Sequence, residues 1–130
     1  MSSGKNFILD TSALMAYLND EKGASAVEKC ITTCKIPFIC LSELYYLIYK
    51  RRGKAEADKI YGVVKSWDLP VLYPDEIVIL NAGRIKAAYR LGIADSYVAA
   101  FALEDDSQLV TKDQDYEILK EEINILTLDS

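Results

Sequence analysis

Four acidic residues stand where their side chains could act together on a metal ion. Asp10, Glu43 and Asp113 each come shortly after a short apolar segment, and Asp95 opens a longer apolar segment. Carboxylate oxygens are hard ligands that suit Mg²⁺ or Mn²⁺. Four of them could hold one such ion, or two about 4 Å apart that activate water and stabilise a leaving oxygen. The residue types are therefore compatible with a metal-dependent phosphoryl displacement.

The residues that are missing narrow the chemistry further. The chain has no histidine, which excludes Ser-His-Asp catalysis and argues against zinc hydrolase sites. Three cysteines are too few, and odd in number, for a disulfide framework. Val27, Cys30, Ile31 and Cys34 form one apolar stripe on a predicted helix, so we expect Cys30 and Cys34 to lie in the core.

Length and composition predict one domain that spans residues 1–130. The net charge of −5 argues against non-specific coating of nucleic acid, so any nucleic-acid binding would need a local basic patch. No apolar run approaches the roughly 20 residues that span a bilayer, and residues 1–5 lack the apolar core of a signal peptide. We expect a cytoplasmic protein that makes no contact with a membrane.

Short apolar segments alternate with segments of helical periodicity along the chain. Predicted strands cover residues 6–9, 37–41, 70–73, 108–111 and 123–128. Predicted helices cover residues 11–18, 24–35, 42–52, 55–67, 75–91, 95–103 and 114–120. This alternation predicts an α/β protein with three layers, in which a central parallel five-stranded sheet lies between helices.

The predicted order of elements places the four acids at one edge of the sheet. Ligands of open parallel sheets bind outside the carboxyl ends of the strands. Asp10, Glu43 and Asp113 follow three of the strands, and Asp95 begins the helix that leads into the strand before Asp113. Each acid alone is better explained as a helix cap or a first-turn residue than as a metal ligand. Together, like charges at one edge need a counter-charge, which a bound cation would provide.

Other polar residues near these strand ends are candidates for supporting roles. Ser12 and Thr111 could hydrogen-bond the acids or a substrate phosphate. Asp115 could add a metal ligand through water, and Arg90 could contact a phosphate beside the metal site. For each of them a surface or capping role stays open.

Four sequence blocks carry a resemblance to a known family. Residues 8–14, 41–44, 92–100 and 109–113 resemble the four acidic blocks of the PIN-domain family. The match is closest to the VapC-like toxins of prokaryotic toxin–antitoxin pairs, and it extends over residues 6–128.

The resemblance implies a parallel five-stranded sheet between helices and an Mg²⁺- or Mn²⁺-dependent endoribonuclease that acts on RNA. It also implies a homodimer and a small antitoxin protein that occupies the active groove. The family's acidic and hydroxyl positions correspond to Asp10, Glu43, Asp95, Asp113, Ser12 and Thr111.

Several other functions remain open at this point. A receiver-like signalling domain phosphorylated on Asp would also be an acidic α/β protein with an Mg²⁺ site. It would require paired acids after the first strand, and Asp10 has no acidic neighbour. A dehalogenase-type phosphatase would require a second Asp at the position of Ser12. A PIN-type RNA-processing nuclease that is not a toxin, and a catalytically inactive PIN domain that binds partners, also stay open.

Two features of the segment after Glu43 bear on partners. Residues 50–54 contain the only dense basic run, which is either a solvated helix end or a phosphate-binding patch. Residues 45–49 are rich in tyrosine and aliphatic side chains, and their exposed part could form a surface for a dimer partner or an antitoxin.

Overall fold

A computed structural model of the chain describes residues 6–129. Residues 1–5, on which the expectation about a signal peptide rests, lie outside that range. No helix within it has the length and apolar character needed to cross a membrane.

The described residues form an all-parallel five-stranded sheet, which confirms the predicted three-layer α/β/α fold. The strand order is β3-β2-β1-β4-β5. The strands are β1 (Phe7–Leu9), β2 (Cys34–Pro37), β3 (Val71–Leu72), β4 (Gln108–Thr111) and β5 (Ile125–Thr127).

Six helices within residues 6–129 connect and cover these strands. They are α1 (Thr11–Leu18), α2 (Ala24–Cys30), α3 (Phe38–Arg52), α4 (Lys54–Ser66), α5 (Glu76–Ala88) and α6 (Ile93–Asp105). Two 3₁₀ segments, Ile31–Thr33 and Gln114–Leu119, complete the order.

The middle strand β1 has a neighbouring strand on each side. It pairs with β2 on one side and with β4 on the other, with Phe7 opposite both Cys34 and Gln108. Ile8 and Leu9 are completely buried, as expected of a parallel strand with helices on both faces. After β3 the chain returns to the other side of β1. The carboxyl ends of β1 and β4 therefore form the topological switch point at which such sheets bind ligands.

The prediction of a strand at residues 37–41 is wrong. The strand ends at Pro37, which caps α3, and the next residues form the first turn of that helix. A short apolar run fits a buried strand and a buried helical turn equally well. Cys40 and Leu41 are buried from the helix. The predicted helix start at residue 42 is therefore four residues too late, and Glu43 lies in the second turn of α3 rather than the first.

The predicted helix over residues 24–35 is too long, because α2 ends at Cys30 and a 3₁₀ turn follows. The β-branched residues at 31–33 lower helix propensity and explain this end. The two cysteines of the predicted apolar stripe, Cys30 and Cys34, are nevertheless free and buried, as expected.

Two further helix boundaries differ from the prediction, one at Tyr89 and one at Gly92. Helix α5 ends at Ala88 rather than at residue 91, because Tyr89 adopts an extended conformation. Gly92 then caps α6, so Asp95 lies inside the first turn and is not the N-cap. The segment after Asp113 is a 3₁₀ helix rather than an α-helix.

Candidate active site

A cavity of about 250 Å³ opens at the carboxyl ends of β1 and β4. All four acids singled out from the sequence line it, although they come from four separate parts of the chain. The lining consists of Asp10, Thr11, Ser12, Met15, Glu43, Tyr46, Leu47, Asp95, Asp113 and Tyr116.

Asp10 is the most deeply buried of the four acids, with 5 % of its surface exposed. It caps α1: its Oδ1 accepts the Ala13 backbone N–H at 2.9 Å and the Ser12 hydroxyl at 2.7 Å. Its Oδ2 accepts the Thr111 hydroxyl at 2.5 Å. The side chain that caps α1 is therefore also the one that is expected to bind a metal ion.

The two predicted hydroxyl residues fasten the end of β1 to the end of β4. Besides donating to Asp10, the Ser12 hydroxyl accepts the backbone N–H of Lys112 at 2.9 Å. The Thr111 hydroxyl likewise accepts the backbone N–H of Asp113 at 2.9 Å. Each hydroxyl thus links the carboxylate of Asp10 to the backbone that carries Asp113.

Glu43 reaches the cavity from the second turn of α3. Its Oε1 accepts a hydrogen bond from the Thr11 hydroxyl at 2.7 Å. The sequence reasoning missed Thr11. The available signal was its position directly after Asp10, beside the hydroxyl residue Ser12 that was singled out.

Asp95 is held by a residue that the sequence reasoning also missed. The Tyr116 hydroxyl donates to Asp95 Oδ1 at 3.1 Å, and the ring is buried in the core. Burial, followed by the charges of Asp10 and Asp95, raises the pKa of Tyr116 well above its usual value, so it stays a donor. Nothing in the sequence distinguishes Tyr116 from an ordinary core aromatic residue.

Asp113 caps the 3₁₀ segment, because its Oδ1 accepts the backbone N–H of Asp115 at 2.9 Å. The side chain of Asp115 is exposed and does not line the cavity. Arg90 is also exposed, between α5 and α6, and does not line the cavity. The structure thus brings the four acids and Ser12 to the cavity, with Thr111 buried directly behind Asp10.

The carboxylates of the cavity lie close enough to perturb one another. Burial raises the pKa of Asp10 to about 6, against the hydrogen bonds from Thr111 and Ser12, and the charge of Asp113 adds to the rise. Burial also raises the pKa of Asp95, and the charges of Asp113 and Glu43 contribute. Ionised Asp10 therefore costs stability increasingly as the pH rises from 3.8 to about 6 in the absence of a cation.

Each acid retains an oxygen that the protein does not saturate. Among residues 6–129 no hydrogen bond reaches Glu43 Oε2, Asp95 Oδ2 or Asp113 Oδ2. An ionised carboxylate has about four acceptor positions. The three hydrogen bonds to Asp10 leave one acceptor position open, on Oδ2.

The donor set fits a hard cation that keeps part of its water shell. Within the described range, no three His, Cys, Asp or Glu side chains converge closely enough to coordinate one ion directly. Mg²⁺ usually keeps several waters and is bound by only one or two carboxylates. One or two of these acids could therefore bind Mg²⁺ or Mn²⁺ directly, while the others bind its waters.

A larger cavity of about 600 Å³ lies beside the carboxylate cavity and shares Tyr46 with it. Its single acid, Asp58, already accepts hydrogen bonds from Tyr45 and Lys54, both at 2.6 Å. Aromatic side chains dominate its lining. We place the candidate active site in the smaller cavity, because that one contains the groups that can bind a metal.

Comparison with solved structures shows the same fold in bacterial toxin–antitoxin proteins. The VapBC2 complex of Rickettsia felis, bound to a promoter DNA fragment, has a TM-score of 0.78 at 17 % identity, covering 95 % of this chain and 98 % of that one. The DNA-bound VapBC of Salmonella typhimurium has a TM-score of 0.78 at 22 % identity, covering 94 % and 97 %. VapC20 of Mycobacterium tuberculosis, a sarcin–ricin loop cleaving toxin, has a TM-score of 0.73 at 15 % identity, covering 87 % and 94 %.

A search of curated proteins finds no match to this chain. The family model of the PIN domain, by contrast, matches residues 7–122. This range begins at β1 and ends beyond the 3₁₀ segment after Asp113, so it includes all four acids of the cavity. The chain belongs to the PIN domain family.

Proposed function

We propose that this protein is a metal-dependent endoribonuclease and the toxin of a toxin–antitoxin pair. The observation that carries the proposal is the cavity at the switch point, which four carboxylates line and where each keeps an unsaturated oxygen. Such a cavity is suited to a hard cation, which can activate water for phosphodiester hydrolysis in a site that has no histidine.

In this mechanism a bound Mg²⁺ or Mn²⁺ would supply Lewis acidity and a water of lowered pKa. Asp10, Glu43, Asp95 and Asp113 would hold it, directly or through its waters. The contacts from Thr11, Ser12, Thr111 and Tyr116 fix the orientation of these carboxylates before substrate arrives. Such preorganisation keeps the cost of rearranging charged groups out of the chemical step.

RNA is the substrate that family membership favours. One structural neighbour is a toxin that cleaves the sarcin–ricin loop, which is consistent with this assignment. A receiver-like phosphoacceptor is less compatible with the site. The side chain of Asp10 is buried, and both of its oxygens already accept hydrogen bonds. Asp10 also lacks the acidic neighbour after the first strand that such a phosphoacceptor site would require.

We propose a small antitoxin as the protein partner, because the structural neighbours include VapBC complexes. We also propose a homodimer that forms through α5. That helix exposes Ile77, Ile79 and Leu80, of which Leu80 is 67 % exposed. Two copies of one apolar helix face are self-complementary about a two-fold axis.

Metal binding should be visible as a rise in melting temperature. Millimolar Mg²⁺ or Mn²⁺ should raise the melting temperature of the wild type, because only the folded cavity gathers the carboxylates. Asp10→Asn should lose this rise. Without metal the variant should be more stable at neutral pH, by up to about 3 kcal/mol, because it removes a buried charge. An equal metal response in both proteins would show that the ion binds elsewhere.

Cleavage of RNA should depend on the cavity acids and on no other carboxylates. Asp10→Asn and Glu43→Gln should each lower the rate of RNA cleavage in Mg²⁺ at least about 100-fold, because each substitution removes a charge that would hold the ion. The matched controls are the exposed acids Asp68→Asn and Glu117→Gln, which should retain wild-type rates. Full cleavage by Asp10→Asn, or a chelator-resistant rate, would rule out the proposed mechanism.

Lys50 should contact a phosphate of the bound RNA. Its Nζ lies 5.7 Å from the ring centre of Tyr46, which lines the carboxylate cavity. By contrast, Lys54 is paired with Asp58, and Arg52 lies 3.9 Å from Glu56. In an Asp10→Asn background, Lys50→Gln should weaken RNA binding and lower the slope of log affinity against log salt by about 0.7. Lys65→Gln is the control, and an unchanged slope in Lys50→Gln would make Lys50 a solvated residue only.

The dimer should dissociate when α5 is made charged. Leu80→Glu places a carboxylate in the centre of the exposed apolar face and should shift sedimentation from dimer to monomer. Ile118→Glu, at a residue that is 50 % exposed outside α5, should leave the dimer intact. A wild type that sediments as a monomer at all concentrations would refute the proposed interface.

A further inference from the structure

Two cysteines outside the carboxylate site are in contact where α2 meets β2. The Sγ atoms of Cys30 and Cys34 lie 3.5 Å apart, and Cys34 Sγ lies 2.8 Å from the carbonyl oxygen of Cys30. The 3₁₀ turn Ile31–Thr33 brings them together. A disulfide has an S–S distance of about 2.05 Å, so bond formation needs an approach of only about 1.5 Å.

The segment that carries the pair can open locally. The single S–H of Cys34 can donate to the carbonyl oxygen of Cys30 or to its Sγ, and the second arrangement lowers the pKa of Cys30. Thr32 and Thr33, which lie between the two cysteines in the chain, are exposed. The turn has the weaker hydrogen bonds of a 3₁₀ helix, and α2 is seven residues long with no side-chain cap. Local opening of such a segment is less costly than unfolding of the sheet.

We propose that Cys30 and Cys34 are an oxidisable dithiol, which small-molecule disulfides convert to an intramolecular disulfide. The Cys30 thiolate attacks the small disulfide, forms a mixed disulfide and releases one thiolate. Cys34 loses its proton, attacks the Cys30 sulfur and releases the second thiol. The two cysteines lose two electrons and two protons, which reduce the small disulfide to two thiols.

The disulfide would join the end of α2 to the first residue of β2, which pairs with β1 at Phe7. Cys40 is a built-in reference, because it is fully buried beside Asp10 and Glu43, whose charges add to the rise in its pKa caused by burial. We expect Cys40 to stay reduced. The dithiol is separate from the carboxylate cavity, so its test does not depend on nuclease activity.

Trypsin provides a direct assay, because Lys29 and Lys35 flank the pair and isolate both cysteines in the peptide 30–35. The full chain is treated with oxidised glutathione, then unfolded, alkylated and digested. Peptide 30–35 should carry no alkyl group and be lighter by two hydrogen atoms, while Cys40 should be alkylated. A peptide with two alkyl groups, or one that retains glutathione, would overturn the proposal.

Two comparisons test whether the fold, rather than the spacing of the two cysteines along the chain, promotes oxidation. Cys34→Ser should retain one glutathione on Cys30, because the resolving thiol is gone, and Cys40→Ser should oxidise as the wild type does. The folded chain should form the disulfide at a lower ratio of oxidised to reduced glutathione than the urea-unfolded chain. Equal ratios, or a Cys40→Ser variant that fails to oxidise, would refute the role assigned to the fold.

Discussion

The hydrogen bonds to Asp10 are the constraint on which the rest of the site depends. A carboxylate this deeply buried is costly, and here the N-terminus of α1 and two hydroxyls compensate for it. The same hydroxyls accept N–H groups after β4. One side chain therefore fixes the start of α1, the end of β1 and the position of Asp113, which makes the gap between two strands into a defined cavity.

This arrangement balances two opposing effects. The apolar strands and helices exclude water from one side of the cavity, which strengthens every electrostatic interaction inside it. The same exclusion makes the grouping of four ionised acids unfavourable, as the raised pKa values of Asp10 and Asp95 indicate. If the proposed cation binds there, it would relieve this repulsion and couple the stability of the fold to its binding.

Much of this could be predicted from the sequence. Asp10 and Asp113 directly follow strands of a parallel sheet, so the shared carboxyl edge of the strands places them on one side of the molecule. The prediction placed Glu43 in the correct cavity although the bounds of the preceding strand were wrong. This worked because β2 and α3 both lead toward the same edge of the sheet. The supporting residues Thr11 and Tyr116 could not be predicted in this way. Their roles depend on which side chains meet across α1 and α3, or across the 3₁₀ segment and α6, and periodicity does not encode such distances.

The most direct test of the account is to locate manganese by anomalous scattering in crystals grown with Mn²⁺. The account predicts a peak inside the cavity, about 2.0–2.2 Å from an oxygen of at least one of the four acids. Waters of the same ion should hydrogen-bond the remaining carboxylates. No peak in the cavity at a saturating concentration of Mn²⁺, or a peak only on another surface, would contradict the claim that these acids share an ion.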